Sequence, residues 1–286
     1  MNELRDGRAR SGQEIADQLG VTRAAVWNQI KRLQQSGVEV HAVKGKGYRL
    51  PEGYEFLDAE KIRSHLKHAS PHVVALQVDQ VTDSTNEQLL RAASDRDVHG
   101  HIRLAEFQTA GRGRRGGSWL APPGSGLCLS LAWRFTRTPA SIGALSLVIG
   151  VATIRALRAL GARDLAIKWP NDIYLNKKKI GGILIETFTR DSKNLIVVGI
   201  GLNIFMKNNT EIDRDWTSLK LEFENIEIDR NEIISEIANE VLLSKLNFEK
   251  KGFDDFVKDF NRLNFLKDKR VFPVSYTHLR AHETAT

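Results

Sequence analysis

The sequence predicts an α+β fold in two parts, a small helix–turn–helix domain followed by a larger domain with a mixed β-sheet. Three observations lead to this prediction. Two short helical patterns and a hairpin pattern fill residues 1–50. Apolar runs typical of buried strands then alternate irregularly with helical patterns up to residue 266, without a regular βαβ repeat. Glycine-rich and charged segments follow several of these runs, and strand ends are where α/β proteins place ligands.

The composition limits the classes of protein to which the chain can belong. With 286 residues, 41% of them apolar, it can build two or three domains with real cores. A single cysteine, Cys128, excludes a disulfide framework and is typical of a reducing compartment, which predicts a cytoplasmic protein. We find no signal peptide and no apolar run of about 18 residues, so neither export nor a membrane partner is expected. The net charge of +7 favours an anionic partner.

The first domain is predicted from two capped helices and a hairpin. Ser11 with Glu14 forms a capping box that starts one helix, and Thr22 can cap a second helix over Arg23–Gln35. Residues 38–50 then form a predicted hairpin around a Lys-Gly-Lys-Gly turn. Helix, turn, helix and hairpin in this order are the winged helix-turn-helix arrangement, whose second helix lies in the major groove of DNA.

The charge of this segment agrees with DNA binding. Residues 1–50 carry nine Lys or Arg against five Asp or Glu, a surplus that favours phosphate contact. The predicted DNA-binding residues are Thr22, Arg23, Trp27, Asn28 and Lys31. Such domains usually have a helix before these two, and here it is short or missing, which would impair DNA binding. The alternative is a helical domain for protein contacts; we predict a DNA-binding domain over residues 1–52.

A linker at Pro51–Gly53 separates this domain from the second, which is predicted over residues 55–266. Its predicted helices are 59–67, 86–93, 144–160, 230–247 and 252–266. Its predicted strands are 73–81, 102–107, 127–133, 165–168, 173–175, 179–187 and 194–200. Gly181-Gly182 is expected to break the strand 179–187 early, which suggests close approach of a ligand to the backbone.

An arginine–glycine loop is the most informative stretch. Gly111, Gly113 and Gly116 alternate with three arginines directly after an apolar run. Glycine lets the backbone turn tightly and approach a ligand, and arginine suits phosphate and carboxylate. The pattern predicts a loop that closes over a small anion. The simpler alternative is an exposed basic loop or a segment that binds RNA loosely.

The same glycines also match G-x-G-x-x-G, the dinucleotide-binding pattern. That function requires a helix to open at the loop so that its N-terminus faces the pyrophosphate. The following residues, 117–123, include two prolines and cannot start a helix, so we reject a dinucleotide site.

Two further loops carry polar groups at predicted strand ends. Ser84, with Glu87 three residues later, forms a second capping box, and capping is the simpler role for Ser84. Lys168–Asp172 combines a cation, an aromatic face, a rigid turn and a carboxylate. The eight histidines show no metal-ligand spacing, and His65 and His68 lack a companion ligand, so no protein-bound metal is predicted.

Four motifs occur in a fixed order behind the predicted DNA-binding domain: 83–86, Gln108 with 111–116, 168–172 and 179–184. Their combination resembles the bacterial bifunctional biotin–protein ligases, which also repress biotin synthesis. The resemblance covers about residues 10–272. It implies a class II-synthetase-like catalytic domain with biotin, ATP and Mg²⁺ as small-molecule requirements. Members join biotin to ATP as biotinyl-5′-AMP and then transfer biotin to a lysine of biotin carboxyl carrier protein.

The resemblance also implies roles for individual residues. The catalytic set is Lys179, Arg112, Arg114 and Asp172, with Lys179 as the main electrostatic catalyst. The biotin-binding set is Ser84, Thr85, Asn86, Gln108, Arg112, Gly113, Arg114, Lys179 and Gly182. The nucleotide-binding set is Arg114, Arg115, Lys168, Asn171, Asn203 and Trp216. Core packing is the alternative role for Trp216, and we prefer it for Trp169.

Regulation and the C-terminus follow from the same resemblance. The adenylate is expected to order the arginine loop and promote a homodimer that binds biotin operator DNA, and the carrier protein competes for the same surface. Members end in an SH3-like barrel. Here residues 270–274 resemble its first strand, and 275–286 show no apolar alternation. Residues 267–286 are therefore predicted as a remnant of a largely missing barrel, which puts acceptor transfer in doubt.

Three other interpretations remain open from the sequence. A lipoate ligase shares the fold and the chemistry, but the arginine loop, the 168–172 motif and the DNA-binding domain favour biotin. A repressor that senses biotin without catalysis is disfavoured by intact Lys179, Arg112 and Arg114. The chain could also be a damaged product without a stable fold.

Overall fold

In a computed structural model, the protein is described at residues 2–4, 6–35, 38, 40–50, 55–67, 69–136, 141–190, 193–207, 212, 215–223 and 229–269. These residues form a small N-terminal domain and a larger central domain. The predicted linker at 51–53 and the predicted barrel remnant beyond residue 269 lie outside the described residues.

The N-terminal domain contains the predicted helices and hairpin. Its elements are α1 (Gly12–Leu19), α2 (Arg23–Gln35), β1 (His41–Val43) and β2 (Gly47–Arg49). The capping box is confirmed, because Ser11 Oγ accepts the Glu14 N–H at 3.1 Å and the Glu14 carboxylate accepts the Ser11 N–H at 2.6 Å. Thr22 Oγ1 caps α2 by accepting the Ala25 N–H at 3.1 Å. Ahead of α1, residues 2–4 form one 3₁₀ turn that buries Leu4 in the core of this domain.

The central domain is built on a seven-stranded mixed sheet with the order β3-β4-β5-β9-β8-β7-β6. Its strands are β3 (Ala75–Thr82), β4 (His101–Gln108), β5 (Gly126–Arg134), β6 (Leu165–Lys168), β7 (Asp172–Leu175), β8 (Lys178–Arg190) and β9 (Lys193–Asn203). The β3–β4 pair is parallel and the other pairs are antiparallel. The predicted mixed sheet is therefore confirmed.

Helices cover both faces of this sheet. They are α3 (Ala59–Ser64), α4 (Thr85–Asp95), α5 (Ile142–Ala159), α6 (Leu219–Glu222), α7 (Arg230–Lys251) and α8 (Asp254–Leu263). Alternation along the strands divides the faces: Leu129 and Leu131 pack into the main core with α5 and α7, whereas Ala132 packs with Leu89 of α4. The helix α4 therefore packs on the opposite face of the sheet.

The helix α5 is apolar almost all round. Its mean hydropathy of 1.6 over 18 residues would suffice for a membrane span, so our expectation that no such run exists was wrong. Sixty-one per cent of this stretch is buried inside the protein. It contacts α7, α8 and strands β6 to β8, as expected of the central helix of a core.

A buried ion pair holds residues 55–57, at the start of the central domain, against β4 and α7. Glu106 of β4 and Arg230 of α7 are 2.8 Å apart, and each side chain is only 1% exposed. The other Glu106 oxygen accepts the Leu57 N–H at 2.6 Å, and Arg230 donates to the Glu55 carbonyl at 2.7 Å. Between these anchors, Phe56 packs into the N-terminal core while its neighbour Leu57 packs into the main core.

The predicted break at Gly181-Gly182 was wrong, because β8 continues through both glycines to residue 190. A Cβ atom at Gly181 would lie 2.3 Å from Leu202 Cδ2 on the paired strand β9. Gly181 therefore permits close strand packing, which explains a glycine there without a break.

Candidate active site

One cavity of about 820 Å³ brings most of the predicted site residues together. It is bounded by the start of α4, the arginine–glycine loop, the loop before β7 and strands β8 and β9. The predicted residues that line it are Ser84, Thr85, Asn86, Gln108, Arg112, Gly113, Arg114, Arg115, Asn171, Asp172, Lys179 and Gly182. Trp169 also lines it and is 61% exposed, so the core packing that we preferred for this residue was wrong.

Missing side chains on β9 create the floor of this cavity. A Cβ atom at Gly199 would lie 2.5 Å from Asn86 Oδ1, and one at Gly201 would lie 2.5 Å from the Trp119 ring. Gly201 is in register with Cys128 on one side and Gly182 on the other. The two glycines thus leave room above the sheet for Asn86, Trp119 and a ligand.

A half-buried ion pair between the neighbouring strands β7 and β8 lies at the cavity wall. Lys179 Nζ of β8 donates to Asp172 Oδ1 of β7 at 2.7 Å, and the two side chains are 15% and 23% exposed. Gly182 lies next to the Lys179 ammonium group, since a Cβ atom at Gly182 would lie 3.6 Å from Lys179 Nζ. The absence of a side chain at Gly182 therefore leaves the ammonium group accessible from the cavity.

The arginine–glycine loop folds back on itself. The Trp119 N–H donates to the Gly111 carbonyl at 2.9 Å, and a Cβ at Gly111 would lie 2.3 Å from the Trp119 carbonyl oxygen. Gly111 is thus needed for the loop's own backbone contact. Residues 109–125 are all described, and their only helical geometry is the single 3₁₀ turn Arg114–Gly116. The prediction that no helix begins at residues 117–123 is therefore confirmed.

Arg112 is held between two carboxylates from different elements. Its guanidinium group donates to Glu87 of α4 and to Glu186 of β8. The predicted second capping box is only half present, because Ser84 caps α4 but the Glu87 side chain contacts Arg91 and Arg112. An anionic ligand at Arg112 would have to compete with both carboxylates.

The arginine loop also contacts the loop before β7. Arg114 donates to Asn171 Oδ1 at 3.2 Å, and the Asn171 amide donates to the Ile183 carbonyl at 3.0 Å. Arg114 and Arg115 are exposed, so their charges are available at the mouth of the cavity. These contacts connect the loop to β8 close to Lys179.

Three predicted nucleotide-binding residues are not among the described residues that line the cavity. Lys168 Nζ lies 3.3 Å from the Tyr174 hydroxyl and over the Phe265 ring. Asn203 is 4% exposed, and its amide donates to the Thr217 carbonyl at 3.0 Å. Trp216 belongs to a segment that runs beside Lys179. Their roles in nucleotide binding stay predictions.

The structure also shows site residues that the sequence did not reveal. Trp119 lies over the floor, Glu186 pairs with Arg112, and Ser130 lies beneath Asn86. The only signal in the sequence was Ser130 itself, a lone hydroxyl within an apolar strand. Trp119 and Glu186 come into place only through the return of the loop and the pairing of β8 with β9.

The cysteine of this cavity is expected to be unreactive. Burial raises the pKa of the Cys128 thiol to about 12, although the nearby Arg230 charge acts in the opposite direction. A thiol reagent at pH 8 should therefore leave the folded protein unmodified and modify one cysteine per chain in denaturant, as measured by mass spectrometry. Rapid modification of the folded protein would contradict this arrangement.

The predicted DNA-binding residues lie at the N-terminal cap of α2 and along that helix. Thr22, Arg23, Trp27, Asn28 and Lys31 are all exposed, Trp27 at 52%. A groove of about 760 Å³ between α2 and the hairpin is lined by Arg23, Trp27 and Lys46, among others. Lys31 Nζ lies 5.5 Å from the centre of the Trp27 ring. The contacts of these residues with DNA remain predictions.

Comparison with known proteins identifies both domains. Residues 78–203 match the biotin/lipoate A/B protein ligase family, and residues 1–49 match an HTH domain. The chain is 37% identical to the bifunctional ligase/repressor BirA of Salmonella typhimurium, over 95% of this chain and 86% of that protein. It is 32% identical to BirA of Bacillus spizizenii, over 95% and 82% of the two chains.

A solved structure agrees with these matches. The biotin protein ligase from Aquifex aeolicus in complex with biotin and ATP superposes with a TM-score of 0.57 at 28% identity, covering 67% of this chain and 79% of that one. The sequence matches thus cover both domains, and the fold of a solved biotin ligase agrees with two thirds of the chain. The chain belongs to the family of bifunctional biotin ligase/repressor proteins.

Proposed function

We propose that the protein activates biotin with ATP to biotinyl-5′-AMP and transfers biotin to a lysine of biotin carboxyl carrier protein. It thus acts as a biotin–[acetyl-CoA-carboxylase] ligase, and with the adenylate bound it represses biotin biosynthesis genes. The observation that supports this most directly is the composition of one cavity. Hydroxyl and amide groups of Thr85, Asn86 and Gln108 line it together with the Lys179 ammonium group and the arginine loop.

The two kinds of groups suit the two parts of biotin. Gln108, which accepts from Thr85, sits at the end of β4, and Lys179 sits on β8, three strands along the sheet from β4. At about 4.8 Å per strand, this separation is roughly 14 Å, which allows a ring at one side and a carboxylate at the other. This separation supports the proposal that the ureido ring of biotin lies near Thr85 and that its carboxylate points towards Lys179.

Positive charge is what the first reaction needs. A biotin carboxylate oxygen attacks the α-phosphorus of ATP, the bond from phosphorus to the bridging oxygen breaks, and pyrophosphate leaves. Lys179 and Arg114 offset the negative charge of the two approaching anions. The acceptor lysine, as a free amine, then attacks the carbonyl of the anhydride, AMP leaves, and one proton is lost.

Asp172 positions Lys179 in this proposal, since its carboxylate holds the ammonium group at 2.7 Å. Mg²⁺ is proposed to arrive with the phosphates of ATP. No group of three metal-ligating His, Cys, Asp or Glu side chains occurs within the described part of the chain, and Mg²⁺ in nucleotide sites is commonly held by one or two carboxylates and the phosphates. Trp216, Asn203 and Lys168 are kept as the nucleotide-binding proposal.

The half-reaction tests the enzyme. Purified protein is mixed with biotin, Mg²⁺ and ATP labelled at the α-phosphate, and biotinyl-adenylate is separated by chromatography. We expect a labelled product that requires biotin and is not formed with lipoate. A folded protein that forms no adenylate, yet binds biotin, would instead be a biotin sensor without catalysis.

Repression is proposed to use the N-terminal domain of a cytoplasmic homodimer. Biotinyl-AMP orders the arginine loop, the dimer forms, and two exposed α2 helices bind the half-sites of the operator. Sedimentation with and without biotin plus ATP measures the first step, and a gel shift with operator DNA measures the second. A sedimentation coefficient that does not change when the adenylate forms would exclude this mode of regulation.

A further inference from the structure

We propose that Ser130 is a positioning residue that makes the Thr85 hydroxyl oxygen an acceptor for an N–H group of the bound ring, and so favours biotin over lipoate. This inference rests on the proposed function. Ser130 lies on β5, is 0% exposed and is not among the described residues that line the cavity. Any effect on a ligand therefore passes through its neighbours.

Ser130 contacts two residues at the start of α4. Its Oγ lies 2.7 Å from Thr85 Oγ1 and 2.6 Å from Asn86 Oδ1. Gly199, in register with Ser130 on β9, leaves the space into which the Asn86 amide fits. Both contacts are buried, so each hydroxyl proton has a definite place.

The orientation of the Asn86 amide is fixed by a carboxylate. Asn86 Nδ2 donates to Glu186 Oε2 at 2.9 Å, and the other Glu186 oxygen accepts from Arg112. A carboxylate paired with arginine only accepts hydrogen bonds, so the amide nitrogen must face Glu186. The amide oxygen of Asn86 consequently faces Ser130.

A count of protons then determines the direction of each bond. Asn86 Oδ1 can only accept, so the single Ser130 proton is directed to it rather than to Thr85. Two hydroxyl oxygens 2.7 Å apart need a proton between them, so the Thr85 proton is directed to Ser130 Oγ and not to Gln108 Oε1, which lies 3.0 Å away and already accepts the Thr85 N–H. With that proton directed to Ser130, no described group donates to the Thr85 oxygen.

The Gln108 amide also has a fixed orientation relative to Thr85. Its Oε1 accepts the backbone N–H of Thr85 at 2.8 Å, which fixes the amide oxygen towards α4. The Thr85 oxygen is therefore left to accept from the ligand. The ureido ring of biotin carries two N–H groups, whereas the dithiolane ring of lipoate carries none. A site with an unfilled acceptor discriminates against a ligand that cannot fill it.

The test compares S130A with S235A, a control variant that removes another buried hydroxyl group. Ser235 is also 0% exposed, and its Oγ donates to the Asn231 carbonyl at 2.6 Å, away from the cavity. Calorimetric titrations measure the Kd of biotin and of lipoate for wild type, S130A and S235A. We expect S130A to weaken biotin binding about tenfold, to leave lipoate binding unchanged, and S235A to change neither.

Kinetics and a double-mutant cycle separate positioning from a general structural effect. S130A should raise the KM for biotin and leave kcat of adenylate formation and the KM for ATP near wild type. T85V should lose biotin affinity on its own, and S130A should add little in that background. If S130A does not fold, S130C replaces it in all of these measurements, because a thiol has a similar volume but is a weak donor and a weak acceptor.

The outcomes distinguish the two levels of the proposal. Wild type that binds no biotin would overturn the proposed function and this inference together. If wild type binds biotin and S130A has the same Kd for biotin, the inference alone is overturned. It is also overturned if S130A lowers biotin affinity in the T85V background as much as it does in wild type. An equal loss of biotin and lipoate affinity in S130A would overturn it too.

Discussion

Replacing Lys179 by glutamine is expected to slow formation of biotinyl-adenylate by about 10²- to 10³-fold, the usual effect of removing one group that stabilises charge in the transition state. Lys179 Nζ lies beside the cavity at 15% exposure, where water screens its charge less than at the surface. The loss should appear in kcat rather than in the KM for biotin. Single-turnover measurements with ATP labelled at the α-phosphate give this rate directly.

The neighbouring lysine supplies the control for this variant. Lys178 is exposed and is not among the described residues that line the cavity. K178Q removes the same charge from the same strand and should keep at least half of the wild-type rate. Equal losses in K178Q and K179Q would show that general electrostatics, and not the position of Lys179, is responsible.

Breaking the Glu106–Arg230 pair is expected to have the largest effect on stability. Both side chains are 1% exposed, so R230M leaves a carboxylate buried without its cation. Such a change usually costs about 3–5 kcal/mol of unfolding free energy. E106Q together with R230M should recover a large part of that loss, because no unpaired charge is then buried. Denaturant unfolding followed by circular dichroism measures the stability of wild type, R230M and the double variant.

An exposed ion pair shows what burial contributes. Arg134 and Asp97 also form a pair, but their side chains are 49% and 52% exposed. R134M should therefore change stability by less than about 1 kcal/mol. If R230M were as mild as R134M, the buried pair would not be what holds residues 55–57 to the central domain.

The sequence predicted those elements whose ends are marked locally. Helix α2 and strand β6 begin and end at the predicted residues, because Thr22 caps the helix and the Trp169-Pro170 pair ends the strand. Gly181-Gly182 misled us, since only the pairing with β9 shows that Leu202 occupies the space a side chain would need. Where a neighbouring strand determines the backbone, local patterns are insufficient.

The candidate site shows the same division. Family motifs named Lys179 and Asp172, which a hairpin brings together seven residues apart. The carboxylates on Arg112 come from residues 25 and 74 positions away, and no spacing in the sequence connects them. Ser130 gains its importance only from the start of α4 above it. The chemistry of the groups was therefore predictable, while the hydrogen bonds that orient them were not.

Phe56 and Leu57 have a consequence for the geometry of the proposed binding to operator DNA. The chain leaves one core and enters the next within a single peptide unit, and the Asn231 amide and the buried ion pair hold that unit on both sides. The 56–57 peptide therefore does not act as a flexible linker that would let the N-terminal domain change its distance from the central domain. In a dimer formed through the central domains, the distance between the two α2 helices would then be determined by the shape of those central domains.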